Sequence, residues 1–197
     1  MAIRNARKDD ARDLAGLINL AGHGLPEYMW QNMADEGESA QDVGVARAAR
    51  EDGGFSYRHA RVYEHNGKVA GMAVAYQLPD PYDVGTLTDV PEVVKPLVEL
   101  EALAPGSWYL NALATFESYR GQGIARQLMA DSALIARSRR CQSISLIVAS
   151  ENVAANSLYK RLGYQEKARK PVIPYPGCAH GGDWVLMVKS LVPAPRS

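Results

Sequence analysis

Two short stretches carry residue types and spacings that could do chemistry. The first is Arg120-Gly121-Gln122-Gly123-Ile124-Ala125, at the junction of an apolar segment and a segment with helical periodicity. Its glycines allow a left-handed turn and close approach of backbone to a ligand. The helix behind it points unpaired N–H groups and the positive end of its dipole outward, an arrangement that favours phosphate. A P-loop is excluded because Gly-Lys-Ser/Thr is missing, and a dinucleotide fingerprint lacks its third glycine, where this chain has Arg126. An ordinary strand-to-helix turn whose glycines serve only geometry is the alternative. The second stretch, Asn152-Val-Ala-Ala-Asn156-Ser-Leu-Tyr159-Lys-Arg-Leu-Gly-Tyr164, sets a tyrosine and two asparagines on a helix. A phenol there serves either as a proton donor or as a ring packed on the core. Other chemistries find less support. His23, His59, His65 and His180 show no metal-ligand spacing, Cys141 and Cys178 form no metal or redox pair, and no Gly-x-Ser-x-Gly elbow occurs.

Together the two stretches resemble the signatures of the GCN5-related N-acetyltransferases (GNAT). Arg120–Ala125 fits Gln/Arg-x-x-Gly-x-Gly/Ala, and Asn152–Tyr164 fits Asn-x-x-Ala-x-x-Leu-Tyr-x-x-Leu-Gly-Phe/Tyr, about thirty residues later. The resemblance implies an α/β fold with a mixed, mostly antiparallel sheet of about seven strands, flanked by helices and with splayed central strands. It implies direct transfer of an acetyl group from acetyl-CoA to a primary amine of a small molecule or protein. Arg120, Gly121, Gln122, Gly123, Ile124, Ala125 and Arg126 would hold the CoA diphosphate. The main chain of Leu113, Ala114 and Thr115 would pair with the pantetheine arm, an N–H near Leu113 polarising the thioester. Asn152, with Asn156, would bond the same arm, and Tyr159 would protonate the departing thiolate. Tyr28, Tyr109 and Asn111 are implied substrate contacts, and Trp30, Met33 and Tyr57 lie in the region that usually lines the acceptor site. The base is open: the glutamates some relatives carry fall here at Tyr109 or at Leu146, Ile147 and Val148, leaving Glu99, Glu101 or a water held by Tyr109 and Asn111. A non-catalytic CoA-binding module, or transfer of a longer acyl group, is the alternative function. Pairing of two copies is a further implication.

A chain of 197 residues with 47% hydrophobic content suits one domain, over 1–197, with a substantial core. The start lacks an apolar h-region and no apolar run reaches membrane-spanning length, so the expectation is a cytoplasmic protein with free thiols and no membrane partner. Formal charge is zero overall yet segregated. Arg120–Lys170 holds ten Lys/Arg against three Asp/Glu, whereas Glu27–Glu101 holds six against fourteen. A basic half suits a polyanionic cofactor and an acidic half a cationic acceptor, although solvated faces can also segregate. Neutrality argues against a nucleic-acid partner.

The elements that must position these residues follow from periodicity. Ala2–Arg7 reads as a strand, and Asp9 or Asp10 as the cap of a helix with Leu14, Leu17, Ile18 and Ala21 on its apolar face. Leu25–Asp52 reads as helical, interrupted near Gly37 and Gly44. Ala60–Glu64 and Lys68–Gln77 form a hairpin around Asn66-Gly67, its second strand buried on both faces. A helix over Glu92–Leu103 precedes the central strand Ser107–Thr115. The cradle helix is expected over Gln122–Ser138, a strand over Ser143–Ala149, the tyrosine helix over Asn152–Leu162, and a closing hairpin from Tyr164–Arg169 and Trp184–Ser190.

Overall fold

The computed structural model describes residues 2–85 and 87–192; the termini of the expected 1–197 domain lie outside them. Seven strands form one open mixed sheet: β1 (Ala2–Asn5), β2 (Ala60–His65), β3 (Lys68–Gln77), β4 (Trp108–Thr115), β5 (Ser143–Ala149), β6 (Gln165–Pro171) and β7 (Asp183–Ser190), in spatial order β1-β2-β3-β4-β5-β7-β6. Only β4 and β5 pair in parallel among the registers described, and the helix between them supplies the crossover such a pair requires. The flanking helices are α1 (Ala11–Ala21), α2 (Leu25–Gln31), α3 (Ala40–Ala48), α4 (Lys95–Glu101), α5 (Ile124–Ser138) and α6 (Val153–Arg161). The chain gathers into two compact units. One holds Met1–Tyr76, Asn111–Ser132 and Pro176–Ala179; the other holds Gln77–Leu110, Ala133–Tyr175 and His180–Ser197.

In the first unit, Leu14, Leu17 and Ile18 bury one face of α1 against Val62, Met72 and Val74 of the hairpin. Each such side chain contributes roughly 1.5–3 kcal/mol on burial. The β2–β3 turn has Asn66 at φ 50° and Gly67 at φ 74°, the paired positive dihedrals of a two-residue hairpin turn. Val69–Ala75 are all buried, as a strand covered on both faces requires. Asp10 caps in a different way from that expected. Its carboxylate reaches back to the Arg7 amide at 2.6 Å and to Arg4, rather than capping α1 itself.

Two expectations for this unit are corrected. Gly44 does not interrupt a helix. It lies inside α3 because a Cβ there would stand 2.5 Å from the Trp30 ring, so the glycine lets α2 and α3 pack closely. Trp30, at 2% exposure, is therefore core and cannot touch an acceptor.

In the second unit, β5 is an apolar strand whose buried Ser145 hydroxyl bonds Ser107 Oγ at 2.6 Å, while Ser107 also donates to the Ala104 carbonyl. The full length of β5 pairs with β7, and β7 with β6. Helix α6 starts at Asn152, whose side-chain oxygen accepts from the Ala155 amide at 3.1 Å. It ends in a Schellman turn: Gly163 has φ 86° and donates to Lys160, and the Tyr164 amide bonds the Tyr159 carbonyl at 3.0 Å. The expected helix before β4 is shorter, a 3-10 turn at Glu92–Val94 followed by α4.

Candidate active site

The first unit carries the glycine bend. Gly121 and Gly123 adopt φ 76° and 74°, so α5 begins at Ile124, two residues later than the periodicity predicts. Left-handed backbone cannot continue into a right-handed helix. A Cβ on either glycine would meet nothing within 4 Å, so both face open space. The first helical bond runs from the Gln127 amide to the Gly123 carbonyl at 3.1 Å. The amides from Gly121 to Arg126 have no backbone acceptor among the described residues. Arg120 and Arg126 are exposed on either side of the bend, and neither joins the ion pairs among the described residues. Unpaired donors, an open approach and two uncommitted guanidiniums are what a diphosphate requires. The bend is braced from behind. A Cβ on Gly71 would lie 2.8 Å from the Ala114 carbonyl and 3.1 Å from both Ile124 Cγ2 and Thr115 Oγ1, so only glycine lets β3 approach β4 this closely. The Thr115 hydroxyl is buried without a hydrogen-bond partner.

Strand β4 alternates toward its end: Ala112 and Ala114 are buried, while Asn111, Leu113 and Thr115 are half-buried. Its parallel ladder with β5 runs from Trp108↔Ile144 to Leu110↔Leu146 among the described residues. Tyr28 lies half-buried on α2, Met33 is 45% exposed, and the Tyr57 hydroxyl donates to Glu51 at 2.7 Å.

The second unit carries the phenol. Tyr159 is 8% exposed and packs its ring against Tyr164 with centroids 5.9 Å apart. Burial alone pushes its pKa up to about 12, and no hydrogen bond perturbs it. The group therefore keeps its proton at neutral pH and has it free to give. Asn152 and Asn156 have work inside the fold. The first caps α6, and the second donates from Nδ2 to the Ala149 and Asn152 carbonyls, each at 2.9 Å.

Also in this unit, the Glu101 carboxylate, at the end of α4, accepts from the Tyr82 hydroxyl at 2.7 Å and from Tyr109 on β4. Burial raises its pKa, and the two phenol hydrogen bonds offset part of that rise. Tyr82 is raised in turn by burial and by its bond to Glu101. Glu99 is spent differently, in an ion pair with Lys170 at 2.7 Å. Sequence reasoning named Glu101 among several bases but missed Tyr82, whose Pro-rich loop gives no signal of the carboxylate it reaches. No group of three potential metal ligands occurs among the described residues, and no helix there is long and apolar enough to cross a membrane.

An open, mixed seven-stranded sheet, with a glycine bend between a central strand and its crossover helix, frames the site. The model of the acetyltransferase (GNAT) family matches residues 25–164, and the chain belongs to that family. N-alpha-acetyltransferase 30 of Schizosaccharomyces pombe is 43% identical over 56 residues, 28% of this chain and 37% of that protein. The match thus spans little more than a third of that relative's length. An acetyltransferase crystal structure superposes with a TM-score of 0.67 at 24% identity, covering 98% of this chain and all of the other. YncA of Salmonella typhimurium, solved with acetyl-CoA, superposes with a TM-score of 0.60 at 16% identity, covering 100% and 97%. At these identities the superpositions establish the fold.

Proposed function

We propose that this protein transfers an acetyl group from acetyl-CoA to a primary amine. The observation that carries the reading is the open bend at Gly121–Gly123 with its unpaired amides at the head of α5, in a chain of the acetyltransferase family. Amides from Gly121 to Ala125, with Arg120 and Arg126, hold the diphosphate. The main chain of Leu113, Ala114 and Thr115 aligns the pantetheine arm, and Asn152, with Asn156, bonds the same arm. The thioester arrives already activated, so these groups contribute position and polarisation rather than covalent chemistry. Tyr159 gives its proton to the leaving thiolate. Its raised pKa does not prevent this, because the burial that disfavours a phenolate also disfavours a bare thiolate. The acceptor is a small-molecule or peptide amine, and similarity to an N-alpha-acetyltransferase makes a peptide α-amine the first to test.

The test is calorimetry with acetyl-CoA, then thiol release against peptides and small amines. Gly123→Val sets a branched side chain into the open face of the bend, at a φ of 74° that strains it, and should weaken acetyl-CoA binding at least tenfold, with a denaturation curve showing that the variant is folded. Wild-type protein that takes up no CoA species, or a Gly123→Val isotherm equal to wild type, would end this reading.

A further inference from the structure

Every amine acceptor reaches a protein at neutral pH mostly as an ammonium ion, which has no lone pair to attack with. Something must take that proton. Neither Tyr159, which is protonated, nor the cradle, which is cationic, is suited to it.

Of the carboxylates in the second unit, Asp80, Asp83, Asp89 and Glu151 are exposed to water, and others have cationic partners. Glu92 pairs with Lys95, Glu99 with Lys170, and Glu166 and Asp183 both with Arg169. Their charges are already compensated inside the fold. Glu101 is different: it is half-buried, and the groups that meet its carboxylate are two neutral phenols, Tyr82 from the loop after β3 and Tyr109 from β4. Helix α4 also packs on β6 and β7. The cations β6 presents there are committed elsewhere, Lys170 to Glu99 and Lys167 to the Leu103 carbonyl at 2.6 Å. Lys189 of β7 donates to the Leu162 carbonyl at 2.6 Å. A carboxylate removed from water without a cation is costly unless a cation arrives. Two phenol donors fix its orientation and still leave acceptor sites on its two oxygens.

We propose that Glu101 is the general base of the acetyl transfer, and that Tyr82 and Tyr109 are the positioning residues that aim its carboxylate at a cationic amine. The assignment rests on the reaction proposed above. Glu101 accepts a proton from the ammonium. The freed lone pair then forms the C–N bond as the C–S bond breaks, and Tyr159 protonates the thiolate. The nitrogen's surplus proton restores Tyr159, and Glu101 returns its own to solvent, so one proton is released per acetyl group transferred. Burial lifts the Glu101 pKa toward that of the amine, which narrows the gap the proton must cross.

The experiment measures kcat/KM against pH for wild type, Glu101→Gln and Tyr82→Phe with one amine that the wild type accepts, alongside acetyl-CoA isotherms. An infrared titration of the cofactor-free proteins accompanies it. Glu101→Gln should bind acetyl-CoA like wild type, lose about 10²–10⁴-fold in kcat/KM at neutral pH and regain rate as the amine deprotonates unaided at high pH. Its infrared spectrum should lack a carboxyl band that in wild type titrates above the exposed glutamates. Tyr82→Phe removes a bond that lowers the Glu101 pKa, so the acidic limb should move to higher pH. This variant carries the test if Glu101→Gln loses its isotherm. A Glu101→Gln profile equal to wild type, or a Tyr82→Phe limb that stays in place, overturns the assignment while leaving the acetyl transfer intact. Wild-type protein that binds acetyl-CoA yet acetylates no amine overturns both.

Discussion

Replacing Tyr159 by Phe separates catalysis from stability, because the hydroxyl makes no hydrogen bond among the described residues. At neutral pH its removal leaves no partner stranded, so stability should change by less than about 1 kcal/mol. Turnover should fall about 10²–10⁴-fold, or roughly 2.7–5.5 kcal/mol of barrier, if the phenol is the acid. Alkaline pH supplies an independent magnitude. Burial raises the Tyr159 pKa from 10.0 to about 12 in the folded protein. Below pH 10 both states keep the proton and the contribution is complete. Between about 10 and 12 the unfolded chain ionises while the folded one does not, so stability falls as pH rises. At about pH 11 that loss amounts to about 1.4 kcal/mol. Tyr164 adds to it, since burial and the neighbouring Tyr159 raise its pKa as well. Urea denaturation at about pH 7 and pH 11, with thiol release measured in parallel, reads all of these. Wild type should lose about 1.4 kcal/mol more than Tyr159→Phe between the two pH values. Equal losses would refute the burial argument, and undiminished thiol release would remove the phenol from the reaction.

Three further substitutions probe the scaffold. Gly71→Ala drives a Cβ to 2.8 Å from the Ala114 carbonyl and should cost about 1–3 kcal/mol in urea denaturation. Gly67→Ala meets no atom within 4 Å and loses only the left-handed preference, roughly 1 kcal/mol, so equal costs would discount the close approach of β3 to β4. Burial raises the Asp10 pKa, but the Arg4 hydrogen bond and the Arg7 amide outweigh it and hold the carboxyl below its ordinary value. Its contribution is complete above the ordinary carboxylate pKa and is lost as pH falls through the folded value. Asp10→Asn should therefore be less stable than wild type at neutral pH, with the difference shrinking on acidification; a constant difference would count against the ion pair.

What the sequence determined by itself was local or repeated in pattern. Asn66-Gly67 dictates a two-residue hairpin turn because both residues tolerate positive φ. The apolar run Val69–Ala75, following that turn, reads as a strand covered on both faces. Asn152 and Gly163 bracket α6 through a side-chain cap and a left-handed terminus that any helix of this composition would use. The glycines before Ile124 likewise announce an open helix head, since their freedom is a property of the residues themselves. The tertiary structure decided what depends on distance between segments far apart in the chain. Gly44 reads as a helix breaker until Trp30 is seen to fill the space above it. Gly71 reads as an ordinary strand glycine until Ala114 lies against it. Glu99 and Glu101 are near neighbours in sequence and equal as acids. Chain folding gives Glu99 a lysine and Glu101 two phenols. Electrostatic character is set by the partners a side chain meets after packing, and no spacing along a chain encodes them.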